Sequence, residues 1–440
     1  MTSNQTAESR VISLVEGNNS PSLPARISVR PDFADQVARA HTVAPRSASR
    51  AHRHMAAFIV ASGVAATAGV ATVRTIMLQT PVHTLTTPTA EFPEPFTEVR
   101  GVRELTDGRV VVNDFRDRFV KLVDFPAGTV RQTGTHGSGP GEYLMPLMLL
   151  PLGRDTTAVY DMANNGDLVI ILPDGSLRGS ITTAPTTPGG ATITTRSRGD
   201  GRGFIYSETR TGNDSIAVER YDRRSNGRVI LGYVSPLVVS PFRGRPAGGR
   251  GSGARGTPTG GVGGSPPPFF TVDQWAVAND GRLAVVTSEP YRVTFTETDG
   301  RRWTADPIST SRIRVTEAHK SEWRQTRARP VASISFSRSG ERAAGFTSRP
   351  VVEPAAWPEY LPPFLTGAVR FAPDGMLWVE RTTAAGAPAT FDIIDFRGRL
   401  VLKVVFPPRT RLAGFGANTI YAVRRDSDDL EYLQKYDLPP

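Results

Sequence analysis

The sequence predicts an all-β fold, a six-bladed β-propeller, and two repeating patterns lead to this prediction. In the first pattern, a turn dipeptide is followed by four to six strand-forming residues and then by a polar residue, which is typical of a β-hairpin. The pattern begins near residues 107, 155, 200, 280, 374 and 417. The spacing is about 45 residues, apart from two intervals of about twice that length, and such a repeat of hairpins is typical of propeller blades.

The second pattern is a further glycine turn inside each of the first five units, between two more strand-forming runs. These turns lie at Gly128, Gly175, Gly227, Gly300 and Gly398. Each unit therefore has about four strands. Strands do not alternate with helices, which excludes a doubly wound parallel sheet. A ring of blades must also be closed, and we expect a strand from residues 96–104 to pair beside the C-terminal run 430–438.

The composition limits the chemistry that the protein can use. The chain has 440 residues with 42 Gly, 36 Pro and no Cys, so disulfides and thiolate metal sites are excluded. The net charge is +10, and almost all of the positive charge is arginine. A basic balance favours anionic partners, but the charge is scattered along the chain, so nucleic acid is not favoured as a partner.

The N-terminal part differs from the repeats. Residues 1–54 are polar and have the composition of a disordered segment. Residues 55–73 contain no charged residue and are long enough to cross a bilayer as a helix. Residues 74–95 are rich in Pro and Thr and are interpreted as a stalk or linker, with the propeller occupying residues 96–440.

Three interpretations of the apolar segment 55–73 remain open: a transmembrane signal anchor, a cleaved signal peptide and a buried helix. Arg46, Arg50 and Arg53 precede it, whereas only Arg74 follows closely. This asymmetry favours an N-in, C-out orientation. We therefore expect a membrane-anchored or exported protein whose propeller lies outside the cytoplasm, as in a periplasm.

Two insertions account for the long intervals between units. Residues 243–268 consist mainly of Gly, Pro and Arg, a composition that cannot bury a core, so a disordered loop is expected. Residues 308–329 are basic and form the one helix-like stretch within the repeats. We expect this helical insertion to cover one face of the propeller or to contact a partner.

A glycine-rich motif lies between the first and second units, in the stretch GSGPGEYLMP. It resembles the signature of a six-bladed β-propeller family related to NHL repeats, found in bacterial extracytoplasmic proteins. The matching residues are Gly137, Gly139, Pro140, Gly141, Glu142, Tyr143 and Pro146. No Lys-Ser/Thr pair follows and no helix begins here, so the motif is not a phosphate-binding loop. The resemblance implies the fold but no activity, and the glycines predict positive φ and close backbone approach.

Motifs of known catalytic sites are largely absent. Of the six histidines, only His136 and His319 lie within the repeats, which makes a site with two or three His ligands hard to build. The sequence has no G-x-S-x-G nucleophile motif and no Walker or Rossmann signature. No cofactor is therefore expected, although an oxygen-ligand calcium site stays open.

Acidic residues end equivalent strands in five units. They are Asp114, Asp161, Glu208, Glu289 and Glu380. If these strands line the central channel, the carboxylates would form a ring that could hold calcium or a sugar. The alternative is that they accept hydrogen bonds that link the blades.

Three functions remain open. The leading one is non-catalytic: binding of a small-molecule ligand or a protein partner at a face of the propeller that carries long loops. The second is a hydrolase or lyase of the lactonase type with a divalent metal ion on the axis. The third is a membrane-anchored regulator whose residues 1–54 act in the cytoplasm. Carboxylates converging at the channel mouth would favour the enzyme, whereas arginine and apolar residues there would favour binding.

Overall fold

The computed structural model describes most of the repeat region. The described residues are 80–139, 141–164, 167–181, 197–211, 215–225, 227–235, 267–336 and 342–440. The segments 1–54 and 55–73 lie outside these residues, as do Pro140 and, apart from Pro267 and Pro268, the glycine-rich loop 243–268. Among the described residues, no helix is long and apolar enough to span a bilayer.

Six sheets, each built on three or four consecutive strands, form six blades. Two short strands precede blade 1 in the chain, β1 (Val82–Thr84) and β2 (Ala90–Glu91). Blade 1 contains β3 (Val99–Glu104), β4 (Val110–Asp114), β5 (Phe119–Asp124) and β6 (Thr129–Thr133), and the short strands β7 (Thr135–His136) and β8 (Glu142–Tyr143) pair after it. Blade 2 contains β9 (Pro146–Pro151), β10 (Thr157–Asp161), β11 (Asp167–Ile171) and β12 (Leu177–Ile181). Blade 3 contains β13 (Arg198–Gly199), β14 (Phe204–Thr211), β15 (Ser215–Asp222) and β16 (Gly227–Val234).

The second half of the ring contains the single helix of the described residues. Blade 4 contains β17 (Gln274–Val277), β18 (Leu283–Ser288), β19 (Tyr291–Thr296) and β20 (Arg302–Thr304), and the insertion after it contains β21 (Ile313–Arg314), α1 (Glu317–Ala328), β22 (Val331–Phe336), β23 (Arg342–Thr347) and β24 (Tyr360–Leu361). Blade 5 contains β25 (Val369–Phe371), β26 (Leu377–Arg381), β27 (Thr390–Ile394) and β28 (Leu400–Val405). Blade 6 contains β29 (Thr410–Phe415), β30 (Thr419–Arg425) and β31 (Glu431–Asp437).

The second strand of a blade contains a continuous run of apolar residues because both of its faces are covered. In β4, all five residues are buried. Val110 and Val112 pack toward blade 6, whereas Val111 packs toward blade 2. A strand buried on both faces has a continuous apolar run rather than alternation. This explains why the short runs of Val, Ile and Leu in the sequence predict the strands so well.

The core is divided into six apolar layers, one between each pair of neighbouring blades. The layer between blades 4 and 5 contains Phe295 and Phe364, and the layer between blades 5 and 6 contains Trp378 and Phe406. The remaining four layers continue around the ring, and the last one joins blade 6 to blade 1. Each blade is therefore stabilised from both sides, and the ring depends on the contact between its first and last blades.

The ring is closed by β2, not by residues 96–104 as expected from the sequence. Ala90 and Glu91 pair antiparallel with β31 and supply the outer strand of blade 6. Residues 99–104 instead form β3, the first strand of blade 1. From the expected range, only Phe96 forms a backbone β-bridge with the C-terminal run, to Glu431. The closing strand is two residues long, too short to show a period in the sequence.

Residues 80–95, predicted as part of a stalk, are in fact part of the propeller. Strand β1 pairs in parallel with β28 and becomes the fifth strand of blade 5. Phe92 is fully buried in the layer between blades 6 and 1. Glu91 accepts hydrogen bonds from Arg424 at 2.9 and 3.0 Å and from Gln434 at 2.6 Å. The hydrogen bond from Arg424 is the main reason that the pKa of Glu91 is lowered.

The glycine-rich motif connects blades 1 and 2, as the resemblance implies. The carboxylate of Glu142 accepts the backbone N–H of Gly139 at 2.7 Å. A Cβ atom on Gly137 would lie 2.1 Å from that carboxylate, so a larger residue there would displace the side chain of Glu142. Gly141 has a φ of +79°, which favours glycine. The hydroxyl of the fully buried Tyr143 donates to the carbonyl of Thr133 and accepts the N–H of Val120.

The insertion between blades 4 and 5, residues 305–368, contains the predicted helix and crosses one face of the propeller. Helix α1 lies within the predicted range 308–329. The hairpin of β22 and β23 then packs on the β4–β5 turn of blade 1 and on the link into blade 2. Phe346 contacts the ring of Phe115 with 5.4 Å between centroids, and the side chain of Arg118 donates to the carbonyl of Ala344 at 2.6 Å. Ile334 packs in the same cluster as Met145.

Candidate functional site

The insertion crosses the upper face, which we define as the face at which the first strand of each blade begins and the second strand ends. First strands of neighbouring blades contact each other, so they surround the axis, and the second strands lie one position further out. Four of the five acidic residues singled out in the sequence lie within one residue of the upper end of a second strand, whereas Glu208 lies three residues before the end of β14. They do not lie on the strands that surround the axis.

Two of these acids accept backbone hydrogen bonds from the segment that leads into their own blade. Asp114 is fully buried and accepts the N–H groups of Thr97 and Glu98 at 3.3 and 2.9 Å. Asp161 is also fully buried and accepts the N–H groups of Leu144 and Met145, each at 2.8 Å. In both cases the donors belong to the segment that enters the first strand of the same blade.

The other three acids have different surroundings. Glu208 accepts the indole N–H of Trp275 at 2.6 Å and so links blades 3 and 4. Glu289 is exposed directly after β18. The carboxylate of Glu380 is half-buried and forms no hydrogen bond or ion pair with any described residue. Within the described ranges, no three His, Asp or Glu side chains are grouped closely enough to hold a metal ion.

A cavity with a volume of about 690 Å³ opens at the upper face over blades 5, 6 and 1. Its uncharged wall contains Val99, Thr383, Ala387, Pro388, Ala389, Thr410 and Val423. Its charged wall contains six arginines and four carboxylates: Arg100, Arg329, Arg381, Arg409, Arg411, Arg425, Glu98, Glu380, Asp429 and Glu431.

A buried carboxylate organises two of the arginines. Glu431 is fully buried, and its two oxygens accept from Arg411 and Arg425, each at 2.6 Å. One of these oxygens also accepts the N–H of Val99 at 2.7 Å, and Arg411 donates to the carbonyl of the same residue at 2.6 Å. One buried carboxylate therefore holds two guanidinium groups, and Asp429 lies 3.9 Å from Arg425. With six arginines and four carboxylates in its lining, the cavity as a whole keeps an excess of positive charge.

Burial destabilises the charged form of some of the arginines in this region. Loss of hydration on burial is the largest effect on Arg411 and lowers its pKa, although the carboxylate of Glu431 opposes this. Burial also lowers the pKa of Arg370, on the first strand of blade 5. The side chain of Arg411 is still 39% exposed, so its charge has lost only part of its water, and an anion that approaches it stabilises the charged form. In the guanidinium groups of Arg411 and Arg425, only the N–H groups on Nη2 are hydrogen-bonded to described residues. Several guanidinium donors therefore remain available to a ligand.

Two further arginines differ in how firmly they are held. Arg381 donates to the buried carboxylate of Asp392 at 2.6 Å and to the carbonyl of Pro363 at 2.7 Å, and it is fixed in the wall. Arg329 is exposed at the end of α1 and forms no hydrogen bond or ion pair with the described residues. It is the insertion's contribution to the cavity, and its backbone is extended because Pro330 follows it.

Sequence reasoning did not find these arginines. The sequence analysis concentrated on acids at strand ends, whereas the positive charges come mostly from blade 6 and from first strands. Arg100 and Arg411 each lie within the first strand of a blade. An arginine inside an otherwise apolar run just before a turn was the signal that could have indicated them.

The chain is similar in structure to several solved proteins. No family model matches the chain, and no curated protein matches it. Among solved structures, virginiamycin B lyase from Staphylococcus aureus is 11% identical, with 80% of this chain and 88% of that chain covered and a TM-score of 0.34. The calcium-binding protein regucalcin from Agrobacterium tumefaciens is 10% identical, with 80% and 95% covered and a TM-score of 0.36.

A member of the DUF4221 family from Bacteroides vulgatus is 9% identical, with 79% of this chain and 96% of that chain covered and a TM-score of 0.40. These low identities carry no information on activity, substrate or cofactor. The fold itself follows from the six sheets and from the six apolar layers that join each of them to the next. The chain is a six-bladed β-propeller with one helix in the insertion on its upper face.

Proposed function

We propose that the protein binds a small organic anion, a carboxylate or phosphate compound, in the cavity at its upper face. The observation that carries this proposal is the pair Arg411 and Arg425, held by one buried carboxylate and still rich in free donors. Guanidinium groups match carboxylates and phosphates because their N–H groups form a planar fork.

The remaining features of the cavity agree with a binding role. Its volume of about 690 Å³ is within the range of about 300–1,000 Å³ that is usual for sites of small ligands. Its wall combines apolar side chains with a few convergent polar groups. Of the four carboxylates, Glu98 is paired with Arg100 at 2.6 Å and Glu431 is enclosed by its partners. The arginine-lined wall favours binding over a metal-dependent hydrolase or lyase.

Removal of one positive charge from the insertion, that of Arg329, tests the binding role. We expect citrate or inorganic phosphate to bind the full chain saturably, and Arg329→Gln to weaken this binding about tenfold, since a hydrogen bond to a charged group contributes about 1.5–3 kcal/mol. Calorimetric titration at pH 7.5 measures both effects. The matched control is Arg301→Gln, because Arg301 is also exposed but lies in a turn of blade 4 away from the cavity.

Equal affinities of the Arg329→Gln and Arg301→Gln variants for these anions would contradict the site. The absence of saturable binding of citrate, phosphate and sulfate to the unmodified protein would contradict the proposed function as a whole.

We further propose that the propeller lies outside the cytoplasm, exported or anchored through residues 55–73. The support is the positive charge on the N-terminal side of this apolar segment. A reporter that is active only outside the cytoplasm is expected to be active when fused after residue 79. This junction avoids β1 and β2, which belong to the propeller. Activity of a cytoplasm-only reporter at the same junction would contradict both the orientation and the location.

A further inference from the structure

One of the four carboxylates in the cavity lining has no partner. Glu98 is paired with Arg100 at 2.6 Å. Glu431 is enclosed by its two arginine partners, and Asp429 lies 3.9 Å from one of these arginines. Among the described residues, the side chain of Glu380 accepts no hydrogen bond and forms no ion pair. The cavity therefore contains a half-buried carboxylate whose oxygens are free to accept.

Two arginines lie close to Glu380, but neither forms an ion pair with it. Arg381 is the next residue in the chain, and it is bound to the buried carboxylate of Asp392 at 2.6 Å. Arg370 interacts with Glu380 through space, because burial lowers the pKa of Arg370 and the carboxylate opposes this effect. Arg370 does not line the cavity, and its side chain donates only to the carbonyl of Ala413, at 3.5 Å. Glu380 is thus the charged group that this side of the cavity presents to a ligand.

Glu380 and the two arginines held by Glu431 lie on opposite sides of blade 6. Side chains alternate between the two faces of a strand. Trp378 packs in the layer between blades 5 and 6, so Glu380, two residues later in β26, lies on that side. Val423 packs in the layer between blades 6 and 1, and Arg425, two residues later in β30, lies on that side. Arg411 is directly opposite Val423 in the neighbouring strand and shares its face.

The cavity spans both sides of blade 6, so a ligand that fills it meets two kinds of group. Guanidinium donors lie at its end near blade 1, and a free carboxylate lies at its end near blade 5. The lining between them includes the uncharged Thr410. A ligand with negative charge alone would remove water from Glu380 without giving it a donor, which is unfavourable. An ammonium group offers three donors and the opposite charge.

We propose that the anion bound in this cavity also carries an ammonium group, as an amino acid does, and that Glu380 accepts this group. The acidic group of the ligand pairs with Arg411 and Arg425, and the ammonium group donates to the carboxylate of Glu380. This inference rests on the proposed function, because the arginines must hold the acidic end of the same molecule. It narrows the ligand from a small organic anion to a zwitterionic one.

Three ligands of equal chain length test the ammonium group. Glutarate, 2-hydroxyglutarate and glutamate share both carboxylates and differ at one position, which carries hydrogen, a hydroxyl or an ammonium group. In calorimetric titration of the full chain at pH 7.5, we expect glutamate to bind about tenfold more tightly than glutarate, the usual effect of a hydrogen bond to a charged group. 2-Hydroxyglutarate should bind like glutarate. Glutamate has the smaller net negative charge, so a cavity that selects through arginine alone would favour glutarate instead.

The variant Glu380→Gln tests which residue accepts the ammonium group. It keeps the size of the side chain and removes its charge, so glutarate should bind this variant more tightly than glutamate does. The matched control is Glu297→Gln. Glu297 is also half-buried, but it lies in the turn after β19 of blade 4, outside the lining of the cavity. The control variant should keep the preference for glutamate.

Three results would overturn the inference. They are equal affinities of glutamate and glutarate for the unmodified protein, an undiminished preference for glutamate in Glu380→Gln, and binding of citrate without binding of glutamate. The first is expected if Arg329, which is exposed in the same lining, pairs with Glu380 in solution. The three-ligand series uses the unmodified protein, so it decides the question even if the variant folds poorly. The proposed function itself fails only if citrate, phosphate, sulfate, glutarate and glutamate all fail to bind.

Discussion

A chain that begins at residue 97 is expected to lose cooperative folding, whereas a chain that begins at residue 80 should unfold cooperatively. The longer chain keeps every strand of the propeller, including β1 and β2. The shorter chain loses the outer strand of blade 6 and two buried aromatic rings, Phe92 and Phe96. Loss of one buried Phe side chain costs about 3–5 kcal/mol. Two such losses approach the total stability of a domain, about 5–15 kcal/mol.

Urea unfolding followed by circular dichroism measures this difference. The point variant Phe92→Ala separates packing from strand pairing, since it keeps the backbone of β2 and its pairing with β31. It should reduce the free energy of unfolding by about 3–5 kcal/mol. If the chain from residue 97 unfolds at the same urea concentration as the chain from residue 80, the closure of the ring by β2 is wrong.

Replacement of Glu431 by Ala is expected to lower the free energy of unfolding by about 3–5 kcal/mol, the usual cost of breaking a buried ion pair by removing one partner. The variant leaves Arg411 and Arg425 without their carboxylate and leaves the N–H of Val99 without an acceptor. Guanidinium groups stay charged at any pH at which the protein is folded, so they cannot escape the cost by losing a proton.

The control for this variant is Asp429→Asn. Asp429 lies 3.9 Å from Arg425, and 74% of its side chain is exposed. Exposed ion pairs contribute only about 0–1 kcal/mol, so this change should be close to neutral. Equal losses of stability in the two variants, measured by urea unfolding, would show that Glu431 does not organise the arginines of the cavity.

The acidic residues at the ends of second strands show what a local sequence pattern can predict and what it cannot. The sequence located Asp114 and Asp161 at equivalent ends of second strands, and the structure has them there. The pattern could not tell whether they surround the axis, because that depends on which strand of each blade is innermost. Their neighbours are backbone N–H groups from residues about 16 positions away in the chain, and such loop contacts leave no periodic trace.

The sequence by itself determined the repeat, the four strands of most blades, the helix in the insertion and the link between blades 1 and 2. Each of these depends on residues within one unit, where burial of both strand faces and positive φ at glycine restrict the amino acids directly. The tertiary structure alone decided that Ala90 and Glu91 close the ring and that arginines from three blades and the insertion share one cavity. Glu91 and Gln434 are 343 positions apart, and the arginines belong to separate repeat units. The energy of these contacts comes from packing and charge neutralisation that no local pattern encodes.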